Sequence, residues 1–273
     1  AAVAAIARAL GDDDRTAAVI GGEAVVLAAL MEGVRAIGDE PPALTSSADT
    51  GTTTLDGVKT GVPCPADADG FLVSAAGADG IVLVYVARAD ADIAANDTMD
   101  GTTVGTLTFN DAPGHVVAGP NEAPAAISAL LDAVHLTNAA ELLGIMETAQ
   151  DMTVEYLKTR EQFDKPIGAF QALQHRAVDN LAAIEMCRSL IFQAARALDG
   201  SGGAPGLASA ALSRAARSAL EVCKSAIQMH GGIGFTDEHD IGLYLKRAMT
   251  LSARYGNAGL HRRRYAECAE THD

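Results

Sequence analysis

The chain contains no tryptophan, and its 273 residues include only six phenylalanines and five tyrosines, so the position of each Phe asks for a reason. Cysteine is also scarce. Cys64, Cys187, Cys223 and Cys268 lie far apart, with no CxxC or other metal-type spacing. The simple reading is a reducing, cytoplasmic setting. His135, His175, His230 and His261 show no ligand spacing, so no metal site is expected. No apolar run reaches the roughly 18 residues of a membrane span. The start, AAVAAIARALGDDDR, lacks a basic region followed by a cleavage site. It reads as the end of a helix, as though the chain begins partway through a fold. Positive charge is short throughout: 20 Lys and Arg against 35 Asp and Glu give a net charge of −15. Residues 1–119 hold 17 acids and 5 bases (−12), and residues 120–273 hold 18 and 15 (−3). A nucleic-acid binder needs a basic face, so that class is excluded. An acidic surface of this kind mainly implies solubility. There is no internal repeat and no low-complexity tail.

What is present is a globular composition, 49% hydrophobic, enough for one large or two smaller domains. Residues 2–10 and 15–20 read as short helices, and AVVLAALM at 24–31 as a buried strand or a helical turn. From 40 to 118, Thr, Gly, Asp and Val dominate, with turn signals at Asp56-Gly57, Asp79-Gly80 and Asp100-Gly101. FLVSA (71–75), GIVLVYVA (80–87) and TVGTLTF (103–109) between them predict an antiparallel β domain of short strands. Beyond 122 the spacing is helical, over 124–158, 168–199, 205–230 and 240–268, the last with a break near Gly256. Gly200, Ser201, Gly202 and Gly203 read as a plain turn. Long helices joined by short loops predict a bundle. The chain is therefore α+β: a lead-in over 1–36, a middle β domain over 37–120 and a helical bundle over 121–273.

Three stretches of the helical half carry unusual residues. TREQFDKPIGAFQ (159–171) places a Phe among charges at a junction between helices. QMHGGIGFT (228–236) is followed by DEHDIGLYLKR, and RYGNAGLHRRR spans 254–264. Taken singly, each has a plain explanation. Arg160 suits a helix end, Phe163 caps a core, and Gly231, Gly232 and Gly234 stop a helix.

Taken together, the order of a β domain, a long helix, R-x-x-F-x-x-P-I-x-x-F-Q, a second long helix and Q-x-H-G-G-I-G-F-T resembles the acyl-CoA dehydrogenase family. The likeness is close over 122–268 and looser over 20–118. It implies an N-terminal helical domain (largely missing from this sequence), a middle β domain, a C-terminal four-helix bundle and a tetramer. It also implies FAD, with the adenine and pyrophosphate end reaching the bundle of a neighbouring chain. By motif match, Arg160, Phe163, Gln171, Gln228, Gly231 and Gly232 are the residues that this chain offers to that dinucleotide. An arginine can fork onto phosphate, a Phe can pack on a flat ring, and glycines admit close backbone approach.

The sequence also departs from the family. The reaction removes a proton from Cα of an acyl-CoA and needs a carboxylate base. The two positions where the family carries that Glu fall on Gly256 and on Val134, which is followed by His135, so no catalytic residue is assigned. The flavin-covering T-E-P-G-A-G-S-D and W-I-T segments correspond to Ala29–Gly33 and Thr60–Cys64, and the Trp is gone. A chain with the neighbour-facing half of the site but no base resembles the non-base-bearing subunit of the family's α2β2 heterotetramers. Those act on bulky CoA thioesters, including steroid side chains. The partners implied are a base-carrying subunit, an acyl-CoA and an electron-transferring flavoprotein. Two alternatives stay open at this point. One is a self-sufficient homotetramer with His135 or Glu141 as an unusual base, although an apolar helix suits a core histidine at 135. The other is a flavin-free scaffold.

Overall fold

The computed structural model describes residues 2–11, 13–33, 42–199 and 206–270, so the turn expected at Gly200–Gly203 lies outside the described residues. The chain divides into two compact units, Ala1–Val134 and His135–Asp273.

In the first unit, helices α1 (Ala2–Leu10) and α2 (Asp13–Gly21) precede strand β1 (Val26–Ala29). Six more strands follow: β2 (Thr45–Ser46), β3 (Thr52–Pro63), β4 (Gly70–Ala76), β5 (Ile81–Ala87), β6 (Asp92–Asp97) and β7 (Thr103–Ala118). They form one sheet in the order β1-β4-β2-β3-β7-β5, and β4 also pairs with β5, so the sheet closes on itself. Alternation shows which face is inside. Gly105, Leu107 and Phe109 point inward along β7 while the residues between them are less buried. The inward set packs with Leu55, Phe71, Val73 and Val84. On another face, Ile6, Leu10 and Val19 of the short helices join Leu72, Leu83, Leu130 and Leu131.

Two features differ from the sequence reading. The sheet is mixed, since β1 and β2 both run parallel to β4. Its strands are not all short: β3 has 12 residues and β7 has 16. Register shifts between Leu55 and Gly57 and between Lys59 and Val62 let the long pair bend while staying bonded.

In the second unit, helix α3 (Ala123–Thr159), which starts in the first unit, leads to a small hairpin. Then come α4 (Gln171–Asp199), α5 (Leu207–His230), α6 (Ile241–Ala253) and α7 (Ala258–Glu270). Leu142 and Met146 of α3, Ile184 and Ile191 of α4, Leu212 and Ala219 of α5, and Leu251 of α6 share one core. Helix α5 is lined with Ala at 211, 215, 216, 219 and 226, all buried, which lets neighbouring backbones approach closely. Helix α3 is long and apolar enough to cross a membrane by length and composition, but most of that stretch is buried inside the protein, as in a core helix.

Candidate functional site

The helix-helix junction at 160–170 is a β-hairpin. Strands β8 (Glu161–Gln162) and β9 (Lys165–Pro166) pair with Gln162 opposite Lys165, leaving a two-residue loop, Phe163-Asp164. Both loop residues have positive φ, 57° and 61°. That geometry belongs to a type I′ turn, where Asn-Gly is favoured. A bulky Phe there is strained by roughly 1–3 kcal/mol. At the tip of this loop Phe163 is 85% exposed. Its edge rests against Phe170, with ring centroids 6.0 Å apart, and Lys165 Nζ sits 4.4 Å over the Phe170 ring. Arg160 closes the hairpin base: its N–H donates to Tyr156 O at 2.9 Å, and its carbonyl accepts from Ile167 N–H at 2.8 Å. The Arg160 side chain is exposed, as is Gln171, the first residue of α4.

Helix α5 ends at a second exposed corner. Gly231, at φ 66°, stops the helix, and its N–H donates to Gln228 O. A side chain at Gly231 or Gly232 would meet no atom within 4 Å, so both present bare backbone outward. Gln228 is exposed beside them. The two corners share one end of the bundle because Tyr156 of α3 stacks on His230 at 4.6 Å, and His230 lies 4.5 Å from His239. His230 Nδ1 bonds to Ala226 O at 2.8 Å, which leaves Nε2 as a buried acceptor with no partner among the described residues. Burial, and then the neighbouring His239, hold His230 below its ordinary pKa. The sequence reading missed Tyr156 and His239. Tyr156 stands one helical turn before Arg160, the single signal that placed it on the same corner.

The Gly256 corner lies beside His135, about 30 Å along α3 from Tyr156. Between α6 and α7, Tyr255 and Gly256 have φ of 62° and 114°. A Cβ on Gly256 would lie 2.3 Å from Leu260 Cδ2 and 3.4 Å from His261 Nε2. Behind this corner the rings of His135 and His261 meet edge to face at 4.6 Å, with Tyr255 6.3 Å from His135. Both histidines are 1% exposed. Burial, helped by His261 and Arg264, pushes His135 down to about 2. Burial and Arg264 push His261 down to about 4. Both are neutral at physiological pH. Glu141 is held by Arg247, whose Nε lies 2.7 Å from Oε1. Val134 is a half-buried part of the first unit's core.

The segments matched to the flavin cover have been rebuilt. Gly61 has φ 70°, where any side chain is strained, and Met31 Sδ, 3.3 Å from where its Cβ would be, would have to give by a few tenths of an ångström. Thr60 N–H donates to Met31 O at 2.9 Å. Lys59 is fully buried; its ammonium bonds the Glu32 carboxylate and, at 3.0 Å, Ser74 Oγ. Glu32 also accepts from Ala43 N–H at 2.6 Å and Leu44 N–H at 3.3 Å. Burial opposes the charge on Glu32, but Lys59 and these N–H groups outweigh it and hold the carboxyl below its usual range. Among the described residues, no group of three His, Cys, Asp or Glu is placed to hold a metal ion.

Residues 124–269 match the model of the acyl-CoA dehydrogenase C-terminal domain, and the chain belongs to the acyl-CoA dehydrogenase family. It is 36% identical over 154 residues to acyl-CoA dehydrogenase IpdE2 of Mycolicibacterium smegmatis, a match covering 56% of this chain and 47% of that protein. The chain thus spans about half the length of that relative. Among solved structures, the Tcur3481-Tcur3483 steroid ACAD is 32% identical with a TM-score of 0.87, covering 99% of this chain and 75% of its own. The ChsE4-ChsE5 complex of Mycobacterium tuberculosis is 27% identical with a TM-score of 0.82, covering 98% and 73%. These likenesses bear out the expected fold class, an α+β chain with a sheet domain and a helical bundle.

Proposed function

We propose that this chain is the base-lacking subunit of a heteromeric, FAD-dependent acyl-CoA dehydrogenase. Its partner is a second acyl-CoA dehydrogenase subunit that carries the catalytic carboxylate. The observation that carries this reading is the Gly256 corner. Gly256 sits at φ 114°, where any side chain is strained, and a glutamate there would also have to displace the end of the Leu260 side chain, whose Cδ2 lies 2.3 Å from the Cβ position. The other usual position is an apolar Val134. Neither alternative base suits the task. His135 is buried with its pKa near 2, far from the neutral range where a general base works. The Glu141 carboxylate is engaged by a guanidinium.

The exposed corner at the other end of α3 fits a dinucleotide better than it fits an ordinary surface turn. Arg160 forks onto phosphate oxygens, and Phe163 lies against a flat ring. Gln171 and Gln228 offer side-chain amides. Gly231 has already spent its N–H on the helix cap, so it and Gly232 contribute open backbone that a ligand can approach. Bound FAD would supply the hydride acceptor for Cβ of the acyl chain, and the partner's carboxylate would be the base for the proton on Cα. The relatives include a protein called a steroid ACAD and a two-component complex, which supports a bulky, steroid-type acyl-CoA substrate and a heterotetramer. An electron-transferring flavoprotein then accepts the electrons. Cys64, Cys187 and Cys223 form no disulfide, which supports a reducing compartment, the cytoplasm.

Arg160→Ala tests the assignment. A charge-assisted hydrogen bond contributes about 1.5–3 kcal/mol, so the complex should release FAD roughly ten- to a hundredfold more readily on dilution. Unchanged flavin retention would show that Arg160 does not hold the dinucleotide.

A further inference from the structure

The hairpin after α3 leads to a second Phe that local rules disfavour. Phe163 stands at a left-handed loop position, φ 57°, that suits Asn or Gly. Phe170 precedes α4 and fills the place of its N-cap: its carbonyl accepts from the N–H groups of Leu173 at 3.0 Å and Gln174 at 3.2 Å. That place favours Ser, Thr, Asp or Asn, whose side-chain oxygens bond the free N–H groups of the first turn, and a Phe bonds none of them. Two residues that break local rules so close together ask for a common reason. Their rings touch, edge to face, with centroids 6.0 Å apart.

The two rings are held very differently. The backbone under Phe170 is pinned on both sides. Its N–H donates to Ile167 O at 3.1 Å. Gly168 is seated so closely on the end of α3 that a Cβ would lie 2.9 Å from Leu157 O. The Gln174 side-chain amide reaches back to donate to Gly168 O at 2.8 Å. Lys165 adds its ammonium, 4.4 Å over the Phe170 ring, where the face of the π-system attracts a cation. Phe163 has none of this. It stands at the tip of a two-residue loop, and an exposed side chain there changes rotamer within nanoseconds unless something holds it. Among the described residues, Phe170 is the one ring that it meets.

We propose that Phe170, with Lys165 on its ring, is a positioning residue: it presets the Phe163 ring in the pose that receives the dinucleotide. This rests on the reading that the hairpin meets a dinucleotide. A ring already held in one pose has less conformational freedom to lose when the ligand arrives, so affinity rises without any contact between Phe170 and the ligand.

The test is FAD release from the co-purified complex across a dilution series, followed by flavin fluorescence. Phe170→Leu is expected to raise the FAD dissociation constant roughly two- to tenfold, the effect of losing an aromatic pair. Phe170→Tyr keeps the ring and is expected to keep the parent value. In the Phe163→Leu background, Phe170→Leu is expected to add nothing, because Phe170 acts through Phe163. A merely structural role would add the same factor in either background. Lys165→Met, a change on the exposed surface, is expected to raise the constant roughly two- to fivefold, and to add nothing in the Phe170→Leu background. Parent retention in Phe170→Leu, beside faster release in Phe163→Leu, overturns the proposal and leaves the dinucleotide reading standing. A Phe170→Leu effect that persists in full in the Phe163→Leu background also overturns it. A Lys165→Met effect that persists in the Phe170→Leu background overturns the part given to Lys165, which then meets the ligand directly. Parent retention in Phe163→Leu overturns the dinucleotide reading of this corner, and the proposal with it.

Discussion

Phe163 occupies a backbone conformation that the sequence does not announce. A Phe among charges in TREQFDKPIGAFQ was legible as an oddity, because this chain has so few rings. Its left-handed φ and the two-residue strands beside it were not, because nothing in Gln-Phe-Asp-Lys carries a hairpin signature such as Asn-Gly. His135 was legible as a core histidine, but its partner His261, on a helix 126 positions away, was not. The pair has a measurable consequence. Both imidazoles titrate near 6.5 when unfolded, and at about 2 and about 4 in the folded chain. Below about pH 6.5 the unfolded chain therefore binds protons that the folded chain refuses. Stability is complete above that pH and is lost as pH falls toward the folded values. Each histidine removes about 1.4 kcal/mol between about pH 7.5 and about pH 5.5. Urea midpoints at the two pH values check this, and the double variant His135→Gln, His261→Gln should lose most of the dependence. A parent protein equally stable at both pH values would contradict it.

At the scale of elements, the long helices were legible because their apolar spacing persists over many turns. Strands β4 and β5 were legible as apolar runs. Strand β3 was not: TTTLDGVKTGVP mixes Thr, Gly, Lys and Pro, and its fully buried residues include the charged Lys59. Only the fold shows that Glu32, across the sheet wall, neutralises it. Removing one member of a buried pair leaves the other uncompensated. Lys59→Met should cost about 3 kcal/mol, the low end for such a change, because the Glu32 side chain keeps 22% of its surface in water. Adding Glu32→Gln should recover a large part of the loss. Chemical denaturation of the single and double variants decides it, and a double variant no better than Lys59→Met would show that the pair is not coupled.

For the whole molecule, the order of domains and the family were legible from motifs at the two bundle corners. The closure of the sheet was not, since it depends on pairing between strands distant in sequence, and neither were the positive φ values at Gly256 and Gly61. Those two glycines, together with the open corner at Phe163, are what the split-site reading rests on. The most direct measurement is flavin content per chain, from visible absorbance of the protein purified alone and then co-expressed with a base-carrying acyl-CoA dehydrogenase subunit. The split-site account predicts a colourless chain alone and about one FAD for every two chains in the mixed complex, the occupancy of a dinucleotide shared between two subunits. About one FAD per chain in the protein alone would contradict it.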